Sequence, residues 1–298
     1  MAVAAAHLTA AEPILHCPDF AESGGVVQMV VSGEELEGVA VSLRDPSDRA
    51  VSRTEGFLWS TPTGRIASVA LLGVPATATS GRYRVVLEAR QGRAEWRLEK
   101  TLTVVRPEFP ETVIEMNGTM DALYSDESER KKSEARALWS LLTSFDERAL
   151  FHLGPLMLPL DGGIRTATFG DRRRYRTPDG AETPSVHFGS DFGAAKGTPV
   201  HAAGRGRVMM ARERLMTGNT VVLEHLPGVY TLYYHLDSIE VREGERADQG
   251  ALIGRVGETG FATGNHLHWE LRVGATAVDP LAFLDGPLLD TSMIMGNM

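Results

Sequence analysis

Short apolar or alternating runs, separated by turn residues, recur through most of this chain and commit it to sheets. Segments 26–31, 39–43, 66–71, 83–89 and 94–105 read as strands in the front third. Between them stand Ser23-Gly24-Gly25, Asp45-Pro46-Ser47-Asp48, Pro62-Thr63-Gly64 and Gln91-Gly92, residues that supply the backbone freedom and local hydrogen bonds of turns. Strands return after residue 166. Segments 219–226 and 229–236 flank Pro227-Gly228 and read as a hairpin, and the glycines of 204–206 and 254–264 fit tight turns. Residues 129–142 depart from the pattern: Ala135, Leu138, Trp139 and Leu142 recur at spacings of three and four, which makes one apolar stripe along a helix. Ser125-Asp126-Glu127-Ser128 offers its caps.

The expected fold is therefore mainly β. Residues 13–106 suggest an immunoglobulin-like β-sandwich, 107–160 a helical linker opened by Pro107 and Pro110, and 161–287 a second β domain. A chain of 298 residues can bury two cores. Its net charge of −9 argues against a nucleic-acid partner, because phosphate binding needs a basic face. Cys17 is the single cysteine, so no intrachain disulfide forms, and it reads as a small apolar residue. No apolar run reaches the ~18 residues of a transmembrane helix. Residues 1–11 are alanine-rich but lack the basic segment and apolar length of a signal peptide.

Histidine placement carries the chemistry. Six of nine histidines fall between His187 and His268. Three patterns hold the key ones: His187-Phe188-Gly189-Ser190-Asp191, Tyr233-Tyr234-His235-Leu236 and His266-Leu267-His268. Alternate side chains of a strand share a face, so His266 and His268 point one way and Leu267 the other. His187 and Asp191 are also an even number apart. Neutral imidazole and carboxylate are ordinary zinc ligands, and a catalytic zinc takes three protein ligands plus a water. One such pattern alone is more often packing than ligation; three in this order within about eighty residues are not.

Residues from about 160 to 285 resemble the lysostaphin/LytM zinc metallopeptidases, peptidase family M23. The resemblance runs through Phe169-Gly170-Asp171-Arg172 (F-G-x-R), His187 to Asp191 (H-x-G-x-D), and Gly197-Thr198-Pro199-Val200 continuing to Gly206-Arg207-Val208. It continues through Gly218-Asn219, Tyr234-His235-Leu236, Gly257-Glu258-Thr259-Gly260, Gly264-Asn265-His266-Leu267-His268-Trp269-Glu270 and Val278-Asp279-Pro280. The front 150 residues share no such match.

The resemblance implies an antiparallel LytM/M23 sheet that forms a groove, with His187, Asp191 and His268 as zinc ligands. It implies His235 and His266 as the unligated catalytic pair, one acting on the water and the other on the charged intermediate or leaving amine. Asn219 and Arg172 are expected to touch substrate. Tyr175 is a further candidate oxyanion donor; Arg173, Arg174 and Arg176 read mostly as a solvated loop, with contact to peptidoglycan carboxylates as the alternative. His225 reads as a hydrogen-bonding residue of the sheet and His201 as structural or surface. The implied activity is hydrolysis of peptide bonds in bacterial peptidoglycan; the alternative is a catalytically inactive LytM-type regulator of another cell-wall hydrolase, a class that typically lacks metal ligands. A third reading makes the front half a wall-targeting module. The implied location is periplasmic or extracellular, at the cell envelope, with an export signal expected to have been removed ahead of the alanine-rich start. The front domain is expected to restrict access to the groove.

Overall fold

The computed structural model describes residues 12–32, 36–61 and 64–298. The alanine-rich start, and Pro62 and Thr63 of one expected turn, lie outside them. The chain is mostly β. The front strands are β1 (Ile14–His16), β2 (Phe20–Glu22), β3 (Val26–Ser32), β4 (Glu37–Arg44), β5 (Ala50–Ser60), β6 (Ile66–Gly73), β7 (Gly81–Gln91) and β8 (Ala94–Val105). Their order is β1-β3-β6-β5-β4-β7-β8-β2.

Strand β5 was not legible in the sequence, and its course shows why. Its first half, from Ala50 to Glu55, pairs with β4, and its second half, from Gly56 to Ser60, pairs with β6. The strand passes from one layer to the other, so its inward face changes midway and no single period survives. The two layers close on a common core of Val27, Met29 and Leu72 from one side and Leu43, Leu87 and Leu102 from the other. Their arrangement is that of two packed β layers.

Strand β6 is buried along nearly its whole length. One face looks into the front core. The other carries Ala67, Val69 and Leu71, which join Val30 and Phe57 in a second core with Val221, Leu226, Leu271 and Val278 of the rear half. An exposed tether therefore does not separate front and rear; an apolar interface joins them.

Between them, β9 (Glu111–Glu115), α1 (Gly118–Ser125) and α2 (Glu129–Leu142) form the linker. Helix α2 has the expected bounds, with the Ser128 side chain accepting from the Lys131 amide at its start. Its expected stripe is corrected: Leu142 is buried, but Trp139 is 64% exposed and Ala135 faces solvent. The contact face turns instead through Leu138, Leu141 and Leu142 onto Met210, Tyr230 and Leu232. Strand β9 was expected to be part of a helical segment; it is drawn into a sheet by parallel pairing with a rear strand.

The rear half holds β10 (Ile164–Ala167), β11 (Arg172–Arg176), β12 (Glu182–Val186), β13 (Ser190–Gly193), β14 (Pro199–His201), β15 (Gly206–Arg214), β16 (Gly218–Leu226) and β17 (Val229–Ile239). It continues through β18 (Arg246–Ala247), β19 (Leu252–Val256), β20 (His266–Val273) and β21 (Thr276–Val278), then ends in a short 3₁₀ turn and α3 (Thr291–Gly296). The main sheet runs β10-β13-β20-β17-β16-β15-β18. Strands β12, β11 and β9 make a separate three-stranded sheet beside it.

Candidate metal and active centre

Three neighbouring strands build the site. Asp191 of β13 pairs with His268 of β20, and His268 pairs with Tyr234 of β17, so the register places Asp191, His268 and the residue before His235 in one row. Leu267 is fully buried in the core on the opposite face, as strand alternation requires. His187 follows the end of β12 and comes in from the side. Gly189 allows this approach: a Cβ there would lie 2.8 Å from His268 Nε2 and 2.5 Å from the Trp269 carbonyl oxygen.

The ring nitrogens have definite partners. His187 Nδ1 donates to the Thr168 carbonyl at 2.8 Å, which leaves its Nε2 unprotonated and facing inward. That Nε2 stands 3.0 Å from Asp191 Oδ1 and 2.9 Å from His268 Nδ1. His268 Nδ1 lies 2.7 Å from the same carboxylate oxygen, while its Nε2 faces Glu270 at 2.9 Å. Glu270 is buried and also accepts from Arg272. One ligand atom from each of His187, Asp191 and His268 thus lies within 4.8 Å of the others.

Electrostatics show what this cluster attracts. Burial by itself would raise the Asp191 carboxyl, but hydrogen bonds and charge from His187 and His268 hold it far below the usual range. Burial by itself would lower His268, yet the Asp191 and Glu270 carboxylates outweigh it and bring it up to about 9. Burial leaves His187 lowered. The Asp191 and Glu270 carboxylates thus favour positive charge on His268, and a metal cation that displaced its proton would meet three convergent donors. With His187 Nδ1 and His268 Nε2 each held by a second oxygen acceptor, the inward nitrogens are oriented as metal-binding imidazoles usually are. Two imidazoles, one carboxylate and open space in front fit a catalytic zinc.

His235 and His266 stand beside the cluster, their ring centroids 4.8 Å apart. Each Nδ1 is engaged by a backbone carbonyl, Thr259 for His235 and Gly264 for His266, both at 2.8 Å. His266 Nε2 is 3.8 Å from Asp191 Oδ1. Burial, with His266 and His268 nearby, pushes His235 down to about 3, and burial also lowers His266. Burial thus disfavours the charged form of both rings. His235 has φ of 61°, a left-handed backbone that a non-glycine residue holds only under tertiary constraint. The constraint is visible: its amide donates to the Thr217 carbonyl, and the Thr217–Gly218 turn lies against Thr259 and Gly260.

All five residues line one cavity of about 630 Å³. Tyr175, an expected candidate, lines it too and packs on Phe261 with centroids 5.2 Å apart. Two expected substrate contacts do not. Arg172 is turned toward the front half, where it donates to the Ala76 carbonyl and covers the Phe109 ring. Asn219 donates to the Leu236 and Asp237 carbonyls, tying β16 to β17 just past His235. Arg173, read as solvated, instead lines the cavity and reaches Asp191. In a strand, adjacent arginines face opposite ways, so the one-residue difference is a change of face. His201 and His225 bond the Gly250 and Arg205 carbonyls and do not line the cavity.

The linker also reaches the site. Pro110, Thr112, Ile114 and Met120 line the cavity, whereas no described residue of the front strands does. Nothing in the linker's composition marked it as a groove wall, because only strand pairing brings it there.

Comparison with known proteins places this geometry. Residues 185–280 match the model of peptidase family M23. The peptidoglycan DD-endopeptidase ShyA of Vibrio cholerae is 38% identical over 123 residues, covering 41% of this chain and 28% of the relative. The DD-carboxypeptidase/endopeptidase Mpg of Neisseria meningitidis is 39% identical over 108 residues, covering 36% of this chain and 25% of the relative. The match thus spans less than a third of these relatives' length. A crystal structure from Pseudomonas aeruginosa described as a peptidase M23 shares the fold across 89% of this chain and 94% of its own, with a TM-score of 0.56 and 22% identity. The chain carries a peptidase family M23 domain.

Proposed function

We propose that this chain is a zinc-dependent endopeptidase that hydrolyses peptide bonds in peptidoglycan, at cross-links or stem peptides. The observation that carries this reading is the convergence of His187 Nε2, Asp191 Oδ1 and His268 Nδ1 beside His235 and His266 in one cavity. The chemistry a bound zinc supplies is a water acidified from pKa ~16 to about 7 and a polarised carbonyl. His187, Asp191 and His268 would hold it.

The remaining work falls to the chain's own residues. His235 and His266 keep Nδ1 occupied by carbonyls, so Nε2 is the atom through which each exchanges a proton. Neutral imidazoles can accept a proton from the attacking water and return one to the leaving amine. His266, with Nε2 3.8 Å from Asp191 Oδ1, suits the first task; either ring, once Nε2 holds a proton, can stabilise the charged intermediate or pass that proton on. Tyr175 lines the same cavity and offers a hydroxyl donor.

Names of relatives support the substrate class, since both curated relatives above are called peptidoglycan or DD-peptidases. Such a substrate puts the site of action in the cell envelope. No helix among the described residues is long and apolar enough to cross a membrane. The test is digestion of purified sacculi with separation and mass measurement of the released fragments. New peptide termini that disappear with a chelator and return with zinc are expected; intact sacculi under every metal condition overturn the reading in favour of a binding or regulatory role.

A further inference from the structure

We propose that Arg173 is a positioning residue for the metal centre, holding one oxygen of Asp191 so that the other faces the ligand cluster, and anchoring this arrangement to linker strand β9. The inference rests on the zinc reading above.

The two oxygens of Asp191 face different partners. Oδ1 lies 3.0 Å from His187 Nε2 and 2.7 Å from His268 Nδ1, while Oδ2 accepts from Arg173 Nη2 at 2.8 Å. A free carboxylate rotates and can offer a metal one oxygen or both. With Oδ2 taken, Asp191 offers one oxygen in a fixed direction, and little freedom remains to be lost on binding.

A cation beside a metal ligand would oppose metal binding unless its charge were balanced. Asp171 balances it. Its Oδ2 lies 3.4 Å from Arg173 Nε, and its side chain is 3% exposed. The Arg173–Asp171 pair is near neutral, which leaves the charge of Asp191 for the cation. The Asp171 backbone serves the same site, since its carbonyl accepts from the His187 amide at 2.9 Å.

Asp171 is in turn held by Thr112, whose hydroxyl donates to Oδ1 at 3.0 Å. Thr112 is the register partner of Arg173 in the parallel β9–β11 pair. Strand β9 precedes residues 185–280 and so lies outside the segment that matches the family. A residue of the linker therefore ends a continuous chain of contacts, Thr112–Asp171–Arg173–Asp191, at the metal centre.

The test measures zinc affinity of the full chain by competition with a chromophoric chelator, together with the absorption spectrum of the Co²⁺-substituted protein. Arg173→Lys keeps the charge but loses the planar fork that spans two carboxylates. It is expected to weaken zinc binding about 10–100-fold, the usual effect of losing a residue that orients a ligand, and to change the Co²⁺ spectrum. Thr112→Val keeps the shape and removes one hydrogen bond; a smaller loss, of several-fold, is expected with melting of the metal-free chain unchanged. Asp171→Asn leaves the arginine charge unbalanced and is expected to weaken binding as well. If Arg173→Lys does not fold, Thr112→Val and Asp171→Asn decide by the same readouts. Zinc binding at wild-type strength in the folded variants, or tighter, overturns the inference. A wild-type chain that takes up no zinc overturns the metallopeptidase reading on which it rests.

Discussion

Replacing either histidine of His266-Leu267-His268 with alanine should abolish most activity, but for different reasons that one pair of measurements separates. His268 has its Nδ1 2.7 Å from Asp191 and 2.9 Å from His187 Nε2, inside the ligand cluster. His266 has its Nε2 3.8 Å from Asp191 and its Nδ1 bound to Gly264, outside it. His268→Ala removes one of three donors and also leaves Glu270 without its imidazole partner in a buried site. Zinc affinity should collapse, and activity with it. His266→Ala removes a group that touches no other ligand nitrogen, so zinc content should remain near one per chain. Losing a general acid or base costs about 10²- to 10⁴-fold in rate, which is about 3–5 kcal/mol of barrier. His235→Ala should behave like His266→Ala. Zinc by elemental analysis and turnover on sacculi, measured on the same preparations, provide the readout. If His266→Ala loses zinc while His268→Ala retains it, the division of roles is reversed.

Four other outcomes follow from the packing. Leu267→Ala empties a fully buried position between the two histidines and should cost about 2–5 kcal/mol in denaturant unfolding, against no loss if the strand face were exposed. His225 is fully buried and neutral, with burial pushing it down to about 4, so the unfolded chain binds its proton first. Its stabilising effect is complete above pH ~6.5 and is lost as pH falls towards 4, by about 3 kcal/mol at most; His225→Gln should show a shallower fall in melting temperature over that window. A fragment of residues 161–298 should be less stable than the full chain and prone to associate, because it uncovers the surface that Val30, Phe57, Val69 and Leu71 cover; a fragment that is monomeric with unchanged melting would refute the shared core. Gly218→Ala adds a Cβ that overlaps Thr259 at a φ of 60°, so it should displace the Thr259 carbonyl that holds His235 and lower turnover while zinc stays bound.

The sequence by itself determined the elements whose period survives folding. Strands β3, β4, β6, β7, β8, β16 and β17 form where apolar or alternating runs stand in the sequence, and helix α2 keeps the expected bounds behind its Ser128 cap. Alternation in β20 also set His266 and His268 on one face, and the family resemblance named the candidate ligands; the His187–Asp191 spacing fixed no direction, because His187 stands outside any strand and turns in beside Gly189. Tertiary structure decided what depends on a partner. Strand β5 changes layers midway, so its inward face has no constant period. Strand β9 is a strand because β11 pairs with it; strand alternation then sends Arg173 to the cavity and Arg172 to Ala76, neither in its expected role. Trp139 fits an apolar stripe yet lies exposed, since helix α2 turns Leu138 and Leu142 to the sheet instead. Periodicity reports that a face is apolar. It does not report which neighbour will meet that face, and the linker's place at the metal centre follows from that meeting.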